Sequence, residues 1–170
     1  NGEALSVIEL NNTPENGVHP AHIHNNTAIE GGGIALSFNA VDGTSGMSKT
    51  NIKQLDDGTS FGYNDVLEFD GYINVHLSAD ELGTIVAQGD IGQNELSGVS
   101  KSYNLNENAV PGISGKITFF ERSNGEALSK VELMNTPANG VHPAHIHVNS
   151  LAEGGDIAII LNSVDGNNGM

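Results

Sequence analysis

The stretch Val18-His19-Pro20-Ala21-His22-Ile23-His24 occurs twice in this chain of 170 residues and returns unchanged at Val141–His147. The two copies hold six of the seven histidines, and the seventh is His76, in the part of the chain that is present once. Side chains two residues apart share one face of a β-strand. We therefore expect a strand with His22 and His24 on one face and Ile23 on the other, toward the core.

The similarity extends well beyond the histidines. Residues 1–47 align without a gap onto residues 124–170, with about two-thirds of the positions identical. This pattern is typical of tandem-repeat proteins, so we expect a repeat of about 120 residues. We interpret the chain as a window from a longer array of such repeats.

Short strand patterns recur along the chain, and no stretch has a convincing helical period. The predicted fold class is all-β, an antiparallel, Greek-key-like β-sandwich or barrel. The predicted strands are Ser6–Leu10, His22–His24, Gly33–Val41, Val66–Phe69, Tyr72–Ser78, Thr84–Gln88 and Lys116–Arg122.

Composition excludes several classes of partner. The formal net charge is −15, from 21 acidic and 6 basic residues, which argues against binding to nucleic acid or to anionic membrane surfaces. The chain has no cysteine, so disulfides and thiolate metal sites are excluded. No apolar run reaches the roughly 20 residues of a membrane span, so membrane insertion is not expected.

Four segments occur in an order that resembles the CHRD (chordin-type) domain family: Gly17–His24, Gly31–Ala35, Asp70–His76 and Gly83–Gly89. That family typically has a His-Ile-His-like motif, a Tyr-Val-Asn-Val-His strand and a closing Gly-Glu-Ile-Arg-Gly-Gln strand. The closing strand departs from this pattern at Thr84, Val86 and Ala87. The resemblance implies a β-sandwich in an extracellular or cell-surface protein, such as the secreted tandem-repeat proteins of bacteria.

The positions at which domains of that family begin and end give the expected domain boundaries. Residues 1–95 would form one repeat that lacks its first strand, and 96–112 would be a linker. Residues 113–170 would be the N-terminal part of the next repeat. Because unpaired strand edges are templates for other chains, we expect self-association by strand sharing, with a neighbouring molecule or with the next repeat.

The histidines predict a metal site. His22 and His24, joined by His76 from another strand, can form a three-imidazole site on the outer face, with His19 as a fourth ligand or a supporting residue. The second copy supplies His142, His145 and His147 as further candidate ligands, but it has no equivalent of His76. Imidazole ligands favour copper or zinc. The alternative is a structural cluster in which the imidazoles bond to loop backbone groups.

Other motifs carry less weight. The turns at Asp42-Gly43, Asp56-Asp57-Gly58 and Asp165-Gly166 make calcium a further candidate, although no EF-hand-like ligand series is present. No acid pair or serine has a spacing that indicates catalysis, so we do not expect an enzyme.

We hypothesise that the chain is a structural repeat of an extracellular bacterial filament, sheath or adhesin, with metal ions acting as staples. The first alternative is a copper–zinc metalloenzyme resembling superoxide dismutase, which is also a β-sandwich with a His-x-His pair on a strand. The second is an extracellular ligand-binding module, which rests on fold-level analogy.

Overall fold

The structure is a computed structural model that describes residues 2–170. This part of the chain contains thirteen β-strands and one short α-helix. The strands form four antiparallel sheets, none of them closed into a barrel, which confirms the all-β prediction. By contacts the chain divides into two compact units, Asn1–Glu95 (unit 1) and Leu96–Met170 (unit 2).

Unit 1 contains two four-stranded sheets, in the orders β1-β6-β5-β2 and β4-β3-β7-β8. Its strands are β1 (Ala4–Glu9), β2 (Val18–His19), β3 (Ala21–Asn25), β4 (Ile34–Ser37), β5 (Val41–Asp42), β6 (Met47–Ile52), β7 (Asp70–His76) and β8 (Ile85–Gly92).

The core of unit 1 lies against one face of β3. Ala21 and Ile23 are fully buried on this face, whereas His22 and His24 on the opposite face are half-buried. Ile23 clusters with Leu36 of β4 and with residues of the other sheet such as Ile52. The predicted phase of the histidine strand is therefore confirmed.

One predicted strand is wrong. The sequence analysis assigned Val66–Phe69 to a strand, but α1 covers Tyr63–Glu68. The Asp65 carboxylate accepts a hydrogen bond from the backbone N–H of Gly62 at 2.7 Å, which stabilises the start of the helix. Val66 and Phe69, three residues apart, both pack on the core cluster. One helical turn satisfies this pattern, and six residues are too short to show a helical period.

Unit 2 contains a three-stranded sheet, β11-β10-β9, and a two-stranded sheet, β12-β13. Its strands are β9 (Leu96–Leu105), β10 (Ser114–Arg122), β11 (Ala127–Met134), β12 (Val141–His147) and β13 (Ile157–Asp165). The expected linker 96–112 differs from this structure, because its first ten residues form β9 and pair with β10. Nearly all of β9 is exposed. Val99, Tyr103 and Leu105 share one face of it, but Lys101 interrupts this face, so the apolar alternation is weak.

The two sequence copies share their turn geometry. Each copy has three asparagines in the left-handed backbone region, which asparagine tolerates better than most residues. Their φ angles lie between 59° and 67° at Asn12, Asn16, Asn26, Asn135, Asn139 and Asn149. The local fold of the repeat is therefore set by its own sequence in both units.

The copies differ in what covers them. Strand β3 pairs with β4 on one edge and β7 on the other, whereas β12 pairs only with β13. Leu36 in β4 is 3% exposed, but Ile159, at the equivalent position of β13, is 52% exposed. Unit 2 thus lacks the cover that residues 47–95 give to the first copy.

This difference predicts unequal costs for one substitution made at two equivalent sites. Ile23→Ala should destabilise unit 1 by about 2–5 kcal/mol, because it leaves a cavity in a closed core. Ile146→Ala should cost unit 2 less, because Ile146 is only half-buried. Native-state hydrogen exchange measures the two units separately; equal losses of protection would contradict the difference in burial.

Candidate metal centre

Strands β3 and β7 bring three histidines onto one face of a sheet. In their antiparallel register His22 lies opposite Asn74, and Ala21 lies opposite Val75. His76 comes two residues after Asn74 and shares its face, so it is the diagonal neighbour of His22. The backbone pairing alone places these side chains together.

The imidazole nitrogens are close enough to share a cation. One nitrogen of each ring lies within 4.8 Å of one nitrogen of both other rings, and within residues 2–170 no other group of histidines and acids meets this limit. His22 Nδ1 lies 3.1 Å from His76 Nε2. Zinc lies about 2.0–2.1 Å from its ligand nitrogens, so in a tetrahedral site two of them are about 3.4 Å apart. His22 and His76 are already near this spacing, and a pair at the 4.8 Å limit would have to close by about 1.4 Å.

Backbone carbonyls orient two of the three rings. His24 Nδ1–H donates to the Gly32 carbonyl at 3.0 Å, and His76 Nδ1–H donates to the Leu82 carbonyl at 2.6 Å. A neutral imidazole has one ring proton, so Nε2 of each ring keeps its lone pair. His24 Nε2 is buried and has no hydrogen-bond partner in the described part of the chain. Metal-binding histidines commonly have this arrangement.

The surroundings of the third ring, His22, favour its neutral form. Because His76 Nε2 is an acceptor, His22 Nδ1–H is the donor in the 3.1 Å hydrogen bond between them. Burial lowers the pKa of His22, and the neighbouring His76 and His24 lower it further, against an opposing effect of Asp56. A cation between the two nitrogens would take the place of this proton.

The site is less exposed than an outer sheet face would be. His22 and His24 are half-buried, and His76 is buried at 5% exposure. The turn after β7 folds back, so that Leu82 reaches the His76 ring. The histidines are opposite the apolar core as predicted, but this turn shields them in part from water.

His19 does not join the cluster. It lies two residues before Ala21 and is fully buried, on the core side of the strand path. Its Nδ1–H donates to the backbone carbonyl of His76 at 3.2 Å. Of the two roles considered for His19, this contact fits the supporting one, because His19 holds the backbone that carries His76.

The second copy keeps half of this arrangement. His147 Nδ1–H donates to the Gly155 carbonyl at 2.9 Å, as His24 does to Gly32. The rings of His145 and His147 have centroids 6.1 Å apart, close to the 5.9 Å between His22 and His24. His142 resembles His19, with a buried Nε2 that has no hydrogen-bond partner among residues 2–170. No third histidine joins this pair in unit 2.

No protein-family model, curated protein or solved structure matches this chain. The resemblance to the CHRD family therefore stays a prediction. Among residues 2–170, no helix is long and apolar enough to cross a membrane.

Three contributors to the site were not recognised from the sequence. Asn74 lies opposite His22, and its buried Oδ1 has no hydrogen-bond partner within residues 2–170. Tyr72 stacks on His24 with ring centroids 5.0 Å apart. A Cβ at Gly32 would lie 2.0 Å from the carbonyl oxygen of Asn25, so glycine is required where the loop approaches β3. Gly32 recurs as Gly155, a recurrence that could have indicated this constraint.

Two of the aspartates considered for calcium, Asp42 and Asp57, serve their own turns. Asp42 Oδ1 accepts hydrogen bonds from the backbone N–H and the hydroxyl of Ser45, both at 2.8 Å. Asp57 accepts one from the backbone N–H of Thr59 at 2.8 Å. These bonds lower the pKa of both carboxyl groups. They explain the aspartates as turn-stabilising residues.

Metal uptake should depend on pH through the imidazoles. Protonation competes with metal, so zinc affinity should fall as the pH drops below about 6.5. Because the pKa of His22 is lowered, this ring stays neutral to lower pH than an exposed histidine. Calorimetric zinc titrations between pH 5 and pH 8 measure the effect. Equal affinity across that range would rule out a site made only of imidazoles.

Proposed function

We propose that unit 1 binds one copper or zinc ion through His22, His24 and His76. The observation that supports this most is the orientation of the rings, with Nδ1–H of two histidines held by carbonyls and Nε2 directed into the cluster. Imidazole suits both copper and zinc. The convergence of three imidazoles on one point favours a metal over a purely structural cluster. The buried, unpartnered Nε2 of His24 fits a metal but does not decide the question, because His19 and His142 outside the cluster have the same feature.

We further propose that the metal stabilises a structural repeat. An ion at this site joins β3 to β7. Its ligands His22 and His76 are 54 residues apart in sequence. A ligand that binds only the folded state adds about 2.7 kcal/mol of stability at 100 times its Kd. The sequence repeat, the acidic composition and the resemblance to CHRD domains support tandem β-sandwiches in an extracellular bacterial filament, sheath or adhesin.

A metalloenzyme is the second candidate. Three protein ligands leave one coordination position open, which is typical of catalytic zinc sites, whereas structural zinc sites are usually closed by four. Against an enzyme of the superoxide-dismutase kind, no second metal-ligand group is found within residues 2–170. The open position is equally suited to a ligand from a neighbouring repeat.

A matched pair of variants tests the site. His76→Gln should reduce zinc affinity more than about 100-fold, since losing a ligand costs more than losing a supporting residue. It should also abolish the rise in melting temperature that zinc gives the native chain. The control, His145→Ala with His147→Ala, keeps the three-histidine cluster and should bind one zinc per chain. If the control loses zinc and His76→Gln keeps it, the site is misassigned.

The structural role has its own test. If the metal acts as a staple, assemblies viewed by electron microscopy should come apart on dialysis against a chelator and re-form when zinc or copper is returned. Assemblies that persist in chelator while a redox or hydrolytic activity disappears would support the enzyme instead.

A further inference from the structure

We propose that unit 2 pairs with residues 47–95 of a second copy of this chain, and that His76 of the second copy completes a three-histidine metal site with His145 and His147. The proposal rests on the metal-binding function proposed above. It adds a partner, a register and a second set of ligands.

Unit 2 exposes the apolar surface that residues 47–95 cover in unit 1. There the cluster around Ile23 and Leu36 is closed by Ile52, Phe61 and Phe69. In unit 2, Ile159 remains half-exposed although its equivalent Leu36 is buried.

An open cavity of about 540 Å³ accompanies this exposure in unit 2. It is lined by Ile117, Phe119, Val131, Ile146 and Leu161. A two-stranded sheet is at best marginally stable by itself, and the free edge of β12 can accept another strand. The missing element is therefore both a strand and an apolar cover.

The register of the new pair follows from unit 1. Val18–His24 and Val141–His147 are identical in sequence, and β3 pairs with β7. The same register sets Ala144 opposite Val75 and Ile146 opposite Ile73 of the second copy. A shift by one residue would turn the apolar side chains away from the core.

The same register also completes the histidine site. His145 takes the place of His22 and His147 that of His24, with the His147 ring already oriented by Gly155. His76 of the second copy is then the diagonal neighbour of His145. Each such pair of units has the same three ligands as unit 1.

The proposed occupant is residues 47–95 of a second copy, because in unit 1 these residues contain β7, the partner of the identical histidine strand β3. The donating copy must release its own residues 2–46, whose strand β3 is replaced by an identical sequence. The incoming half is already partly folded, because its strand β11 pairs with β10.

One replacement opposes the exchange. Lys130 stands where unit 1 has Val7, and the register of β1 with β6 would set it opposite Lys49 of the second copy. Like charges directly opposite are destabilising by a fraction of a kilocalorie. Lys130→Val should therefore increase the yield of the paired form.

Two full-length variants test the shared site. The acceptor carries His22→Ala, His24→Ala and His76→Gln, so that His145 and His147 remain. The donor carries His22→Ala, His24→Ala, His145→Ala and His147→Ala, so that His76 remains. Because β7 is buried, the two are unfolded in urea, refolded together and separated by size before bound zinc is measured.

We expect no zinc on either variant alone and one zinc per acceptor–donor pair in the mixture. If the native chain itself binds no zinc or copper, the proposed function fails. If the native chain binds metal but the mixture does not, the shared site fails while the proposed function stands. Zinc on the acceptor alone would show that β12 strands pair with each other, which overturns the proposal.

A cross-link tests the pairing without changing any histidine. The chain has no cysteine, so Ala144→Cys in one copy and Val75→Cys in another provide single thiols. Directly opposite residues in antiparallel strands have Cα atoms about 4.5–5.5 Å apart, within the range of a disulfide. The disulfide should form between these two variants after joint refolding and not when Ser97→Cys replaces Val75→Cys. Equal cross-linking in both mixtures would reject the register.

Discussion

The antiparallel pairing of β3 with β7 is the interaction on which the candidate site depends. It joins segments 54 residues apart at His22 and His76 and sets which side chains are diagonal neighbours. The same pairing places Ile23 opposite Ile73, so the core and the histidine cluster are fixed by one register. Neither can be changed without the other, because a one-residue slip exchanges the two faces.

The sequence was sufficient for the phase of the histidine strand and for the choice of His76 as the third member. Both follow from alternation, which depends only on backbone geometry. It was insufficient for His19, whose position across Pro20 did not reveal that it faces the core. The carbonyls of Gly32 and Leu82 were also beyond prediction, since their approach depends on loop conformations. Helix α1 is too short to show a helical period, and the apolar alternation of strand β9 is interrupted by Lys101.

The duplicated segment separates local from tertiary effects within one molecule. Asparagine turns and the bond from the histidine ring to a glycine carbonyl occur in both copies, so nearby sequence is enough to form them. Burial does not follow, as Leu36 and Ile159 show. An identical histidine strand is therefore a core strand in one unit and an edge strand in the other.

The stacking of Tyr72 on His24 makes this site optically distinctive. The chain has three tyrosines and no tryptophan, so its near-ultraviolet emission comes from tyrosine, and one emitter stacks on a candidate ligand. Zinc has a filled d shell and no redox chemistry, whereas copper is redox-active and quenches nearby aromatic excited states. The intrinsic fluorescence of the chain would thus distinguish copper from zinc at the candidate site.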